Sequence, residues 1–100
     1  MDNQHRKITG YRELNPDEIM LINDIKALGQ QAEELTEKLK THITRQVIDA
    51  QRLKLQEVPS HTEQARLEHA DPAWWLFEGK TEIQKGLMAL TRAVAQPTSF

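Results

Sequence analysis

Asn15-Pro16-Asp17-Glu18-Ile19-Met20-Leu21-Ile22 is the stretch on which the reading of this chain turns. Asn15 offers a side-chain oxygen to the backbone N–H groups that open a helix. Pro16 stands at the first helical position, where its missing N–H costs nothing, and Glu18 has the spacing to close a capping box. A helix therefore starts here. No proline follows until Pro59, and Ile25, Leu28, Ala32, Leu35, Leu39, Ile43, Val47 and Ala50 recur at steps of three and four, as one helical face requires. The helix expected from Pro16 to about Gln56 would be roughly 60 Å long. Gly29 is its weak point, where it could bend, because an interior glycine costs about 1 kcal/mol relative to alanine.

Val58-Pro59-Ser60 ends that helix, and Asp71-Pro72 opens a second one. In the second, Leu76, Ile83, Leu87, Leu90 and Val94 keep the same rhythm, with Lys80 in the vacant slot. Gly86, Ala89 and Ala93 form a parallel stripe of small residues that would admit another backbone closely. Pro97 closes the helix. Between the two, Ser60-His61-Thr62-Glu63 has capping-box spacing and could start a short helix through Leu67, although its apolar content is poor. The expected fold is all-α: one domain, residues 1–100, made of a helical hairpin with an N-terminal arm (1–14), a long first helix and a shorter second helix. Trp74 and Trp75 are expected to close the open end of the hairpin. The shorter helix would leave about half of the longer one's apolar stripe uncovered, so a homo-oligomer is expected. The alternative is a monomeric three-helix bundle using residues 60–70 as its third helix.

Composition narrows the function. With 38% apolar residues and no cysteine in 100 residues, the chain is neither a disulfide scaffold nor long enough in any apolar run to span a membrane. Met1-Asp2-Asn3-Gln4-His5 opens without the apolar core of a signal peptide, which points to the cytoplasm. A formal charge of −2 argues against coating long nucleic acid. His5, His42, His61 and His69 have neither cysteine nor a His-Glu-x-x-His pattern beside them, so no metal is expected. Ser60 and Ser99 lack a nucleophile elbow, and Gly10, Gly29, Gly79 and Gly86 are isolated and form no phosphate loop. The chain thus reads as a binding protein without cofactor, not as an enzyme.

The arm is the part that could bind. His5-Arg6-Lys7-Ile8-Thr9-Gly10-Tyr11-Arg12 places three cations and the only tyrosine together in a slightly acidic chain. Arg6, Lys7 and Arg12 could neutralise phosphates while Tyr11 stacks on a base. Equally, Ile8, Tyr11 and Leu14 could pack on the hairpin with the charges in water.

Four stretches weight this choice. His5 to Asn15, Asn23-Asp24-Ile25-Lys26-Ala27-Leu28-Gly29, Asp71-Pro72-Ala73-Trp74, and Gly79 to Thr98 closely resemble the phage anti-CBASS and anti-Thoeris helical-hairpin family of cyclic nucleotide signal sponges. The resemblance spans both ends of the chain and leaves about residues 30–70 weakly matched. It implies a small α-helical homo-oligomer, a hexamer in the better known members, that sequesters cyclic dinucleotides and, at a separate site, cyclic trinucleotides without cleaving them. It assigns the dinucleotide to Tyr11 and Lys26, beside which Arg12 and Lys7 of the basic arm are the further candidates. The trinucleotide site would fall to Lys80, Thr81, Gln84 and Arg92. Many relatives carry arginine where this chain has Lys80, and lysine keeps the charge but loses the bidentate fork. The competing expectation is an oligomeric helical adaptor whose exposed stripe binds other proteins.

Overall fold

A computed structural model of the chain describes residues 12–55 and 61–98. Those residues form three helices, α1 (Pro16–Leu55), α2 (His61–Ala70) and α3 (Pro72–Ala95), and no strand occurs among them. The long first helix and the start at Pro72 agree with the sequence pattern. The segment after Ser60, expected as a short turn of helix through Leu67 with a third helix over 60–70 as the alternative, is a ten-residue helix. The connection between the two long helices is therefore itself largely helical.

Caps explain where the helices start and stop. Asn15 Oδ1 accepts from the Glu18 N–H at 2.9 Å and Glu18 Oε1 accepts from the Asn15 N–H at 2.9 Å, so the capping box forms reciprocally. Asp71 takes a left-handed conformation, φ 49°, at the single-residue joint between α2 and α3. Its N–H donates to the Leu67 carbonyl and ends α2, while its own carbonyl accepts from Trp75 in the first turn of α3. Gln96 ends α3 in the same way, with φ 52° and its N–H on the Arg92 carbonyl at 2.7 Å. It then hands the chain to Pro97, which cannot extend a helix.

The chain divides into two compact units. The first joins residues 1–31 to 83–100. Within it Ile22, Ile25 and Gly29 of α1 and Leu87, Thr91 and Val94 of α3 are half-buried. Gly29 leaves room for close approach: a Cβ there would lie 3.3 Å from Leu87 Cδ1, which would have to give by a few tenths of an ångström. The expected weak point of α1 is thus a seat for a leucine, and the helix runs through it unbroken.

The second unit, residues 32–82, holds the buried residues of the described chain: Ala50 at 2% exposure, Leu67 at 7% and Thr36 at 8%. Thr36 satisfies its hydroxyl on the Glu33 carbonyl at 2.8 Å. Ile43, Val47 and Ala50 of α1 meet Leu67 of α2 and Pro72 of α3 around a small cavity of about 290 Å³. This unit corrects the expected α1 stripe. Ala32, Thr36, Ile43 and Ala50 turn inward, whereas Leu35, Leu39 and Val47 stay exposed. The inward line includes a threonine, which an apolar pattern does not mark.

Trp74 and Trp75 do not bury the end of a hairpin, contrary to expectation. Their rings meet edge to face with centroids 4.6 Å apart, yet Trp75 remains 63% exposed and its neighbour Phe77 64%. Adjacent helical residues point about 100° apart, so two consecutive tryptophans cannot both face one packing partner. The small stripe of α3 is likewise uncovered among the described residues: Gly86, Ala89 and Ala93 are exposed, and nothing described lies within 4 Å of a Cβ placed on Gly86.

The left-handed cap of α3 yields a test. A non-glycine residue in that conformation costs on the order of 1 kcal/mol. Gln96→Gly should therefore stabilise the protein by about 0.5–1 kcal/mol, less what is lost with the Gln96 Nε2 bond to the Ala93 carbonyl. Urea unfolding at fixed protein concentration measures this, and an unchanged or lowered midpoint contradicts it.

Candidate functional site

In the first unit the chain entering α1 is tied to the end of α3 by one side chain. Arg12 Nη1 donates to Glu18 Oε1 at 3.0 Å, Nη2 donates to Glu18 Oε2, and Nη2 also donates to the Val94 carbonyl at 2.8 Å. Three groups thereby converge on Glu18: the Asn15 N–H and both Nη nitrogens of Arg12. Val94 lies in the last turn of α3, where carbonyls lack intrahelical donors, so Arg12 caps one helix while pairing with the carboxylate that caps the other. The bidentate arrangement suits the planar guanidinium and not an ammonium.

Electrostatics follow the geometry. The Arg12 hydrogen bond, and after it the backbone bond from Asn15, hold the Glu18 carboxyl below its usual value of 4.5. The same hydrogen bond to Glu18 raises Arg12 further above its already high value. The pair is ionised throughout the physiological range, and its charges offset each other.

The residues proposed for a nucleotide fall as follows. Tyr11 and Lys7 lie outside the described residues. Arg12 is half-committed: three of its five N–H donors serve Glu18 and Val94, which leaves two for another acceptor. Lys26 stands exposed on α1 with no hydrogen-bond or ion-pair partner among the described residues. Both Arg12 and Lys26 belong to the first unit. Of the second group, Lys80 and Thr81 belong to the second unit and Gln84 and Arg92 to the first. Lys80, Gln84 and Arg92 are exposed, and Thr81 is half-buried.

The Arg12–Glu18 pair escaped the sequence reading. Glu18 was recognisable as a capping carboxylate, but Arg12 is six residues away, before the helix begins, and no helical spacing rule connects them. No cluster of three or more potential metal-binding side chains occurs among the described residues. No described helix is long and apolar enough to cross a membrane.

Fold and surface together define a class of small all-helical proteins with unpaired cations and extensive apolar surface on a single chain. The comparison with known proteins makes this specific. The chain is 43% identical over 105 aligned residues to Anti-CBASS protein 2 of Pseudomonas phage JBD67, covering 97% of each protein. It belongs to that phage anti-CBASS family. No family model matches the chain.

The depressed Glu18 carboxyl sets a pH dependence. A carboxyl whose native pKa lies below its unfolded one adds stability that is complete above the unfolded value, near 4.5, and is lost as the pH falls through the native value. Glu18→Gln should therefore melt below the wild type at pH 7, and the gap should close progressively below about pH 4.5. A gap independent of pH would contradict the role of the ionised pair.

Proposed function

We propose that this protein is a sponge for cyclic nucleotide second messengers. As a homo-oligomer, by family resemblance a hexamer, it captures cyclic dinucleotides, and at a separate site cyclic trinucleotides, and withholds them from the effectors of a bacterial antiphage system. It binds without cleaving and works in the cytoplasm of the infected cell. The observation that carries this reading is the near full-length relationship to a phage anti-CBASS protein. The match of His5–Asn15 and Asn23–Gly29 to the family's dinucleotide-binding stretches gives it residues.

Physical chemistry supports the same reading. A cyclic dinucleotide presents two phosphates and two bases, and it is held by unneutralised cations and an aromatic face. Lys26 supplies a cation free of any described carboxylate, and Tyr11 supplies the ring. One chain of net charge −2 offers few such cations at one place, so enclosing a dianion calls for contributions from several copies. Assembly has its own driving force. Fifteen large apolar side chains are exposed on the described residues, from Ile19 to Leu90, and Met88 reaches 70%. Covering that surface would favour association. In this assembly Lys80, Thr81, Gln84 and Arg92 would line the trinucleotide site.

Calorimetry against a panel of cyclic di- and trinucleotides tests the proposal. Binding at micromolar concentration or tighter is expected, and no binding would transfer the exposed apolar faces to the adaptor reading. Protease digestion of the complex followed by chromatography should return intact cyclic nucleotide, whereas linear product would mean catalysis. Tyr11→Ala and Lys26→Ala should each weaken dinucleotide binding by about 1–3 kcal/mol while leaving the oligomer assembled. Undiminished affinity in both would assign the arm to packing.

A further inference from the structure

Glu18 is not among the residues proposed to touch a nucleotide, yet it holds one that is. Its carboxylate accepts from both terminal nitrogens of Arg12 and from the Asn15 N–H. Arg12 in turn serves the end of α3. There the Arg92 carbonyl takes the Gln96 N–H, and the Ala93 carbonyl takes Gln96 Nε2 because Pro97 has no N–H to give. The Val94 carbonyl takes Arg12 Nη2. Of the donors to this terminus, Arg12 is the one that comes from the opposite end of the chain.

This engagement limits what else Arg12 can do. A guanidinium grips a phosphate or carboxylate bidentately along one of two edges, Nη1 with Nη2 or Nε with Nη2. Both edges need an Nη2 hydrogen, and the two Nη2 hydrogens go to Glu18 and Val94. What remains is the Nε–H on one side and one Nη1 hydrogen on the other. Each can make a single bond, but they cannot grip one phosphate together. The Arg12 charge is also matched already by Glu18. Held in this way, Arg12 is built as an anchor and not as a phosphate clamp.

We infer that Glu18 is a positioning residue of the proposed dinucleotide site, acting through Arg12. It fixes Arg12 between the start of α1 and the end of α3, so that neighbouring Tyr11 is presented from a fixed point in the unit that carries Lys26. This role rests on the sponge reading and adds to its site a residue that touches no ligand. The gain is preorganisation: an arm whose base is already held has less freedom to lose when a nucleotide binds.

Electrostatics alone demands the opposite sign. Glu18 lies eight residues, roughly 12 Å along α1, from Lys26, and without its charge Arg12 would lose its carboxylate partner. A dianion would then be attracted more strongly. A nucleotide that took Arg12 away from Glu18 would likewise gain from the loss of its competitor. The direction in which affinity changes therefore separates anchoring from both.

Calorimetry with cyclic di-AMP, cyclic di-GMP and cyclic GMP–AMP reads that direction. A surface ion pair adds little to stability, so the variants are expected to fold, and circular dichroism at the assay temperature checks it. Glu18→Gln should weaken the tightest of the three complexes about fivefold or more. Arg12→Lys keeps the cation but loses the fork, and it should weaken binding as much. The double variant should lose little beyond either single one, because each breaks the same link. Glu18→Gln that binds as tightly as the wild type, or more tightly, overturns the inference. So does Arg12→Lys at wild-type affinity, or a double variant in which the two losses multiply. A wild type that binds none of the three nucleotides overturns it together with the sponge, whereas tight wild-type binding that Glu18→Gln leaves intact removes the positioning role alone.

Discussion

The governing constraint is a shortage of cover for apolar surface. Among the described residues only Ala50, Leu67 and Thr36 are buried, and one of these is a threonine. Burying a leucine, isoleucine or methionine side chain is worth about 1.5–3 kcal/mol, yet Met20, Leu28, Leu35, Ile48 and Met88 keep about half or more of that in reserve. Helix propensity cannot make up the difference, since helices in water owe most of their stability to packing of an amphipathic face. The proposed oligomer answers this constraint directly. It also ties folding to protein concentration, because a partner that binds only the folded chain stabilises it by mass action.

Polar interactions in this protein are concentrated at helix ends. Asn15, Glu18 and Arg12 join the start of α1 to the last carbonyls of α3, and Asp71 serves as both the end of α2 and the start of α3. These contacts lie at the surface, where an ion pair adds little to stability by itself. Their value is positional: Arg12 follows directly on the arm that carries Tyr11 and is held against a defined helix terminus. The same engagement lowers the net charge that Arg12 offers to a phosphate. In the proposed dinucleotide site Lys26 is therefore a cation without a partner among the described residues, with Arg12 contributing its two remaining N–H donors.

Part of this protein was written plainly in its sequence. The capping box at Asn15–Glu18 and the Asp71-Pro72 signal rest on spacings of a few residues, which act locally, and both helices begin where those residues say. The family was legible in the same way, through short stretches at both ends of the chain. Other features needed three dimensions. Leu35 and Leu39 fit the apolar rhythm of α1 as well as Ile43 does, but which edge of a broad apolar stripe turns inward depends on where α2 and α3 lie. Thr36 and Gly29 sit on the inward line because a satisfied hydroxyl and a missing side chain both allow close packing, and neither counts as apolar in a pattern. The amphipathicity of α2 is weak, and its buried residue, Leu67, lines one small cavity with Ala50 of α1, a juxtaposition no local pattern marks.

The starts of α1 and α3 and membership in the anti-CBASS family were thus determined by the sequence alone, because capping and short motifs depend on neighbours along the chain. The inward line of α1, the outward turn of Trp75 and the bridging of Arg12 between Glu18 and Val94 were decided only by the tertiary structure. Each joins groups that are distant in sequence or chooses between faces of equal composition, and only packing in space distinguishes them.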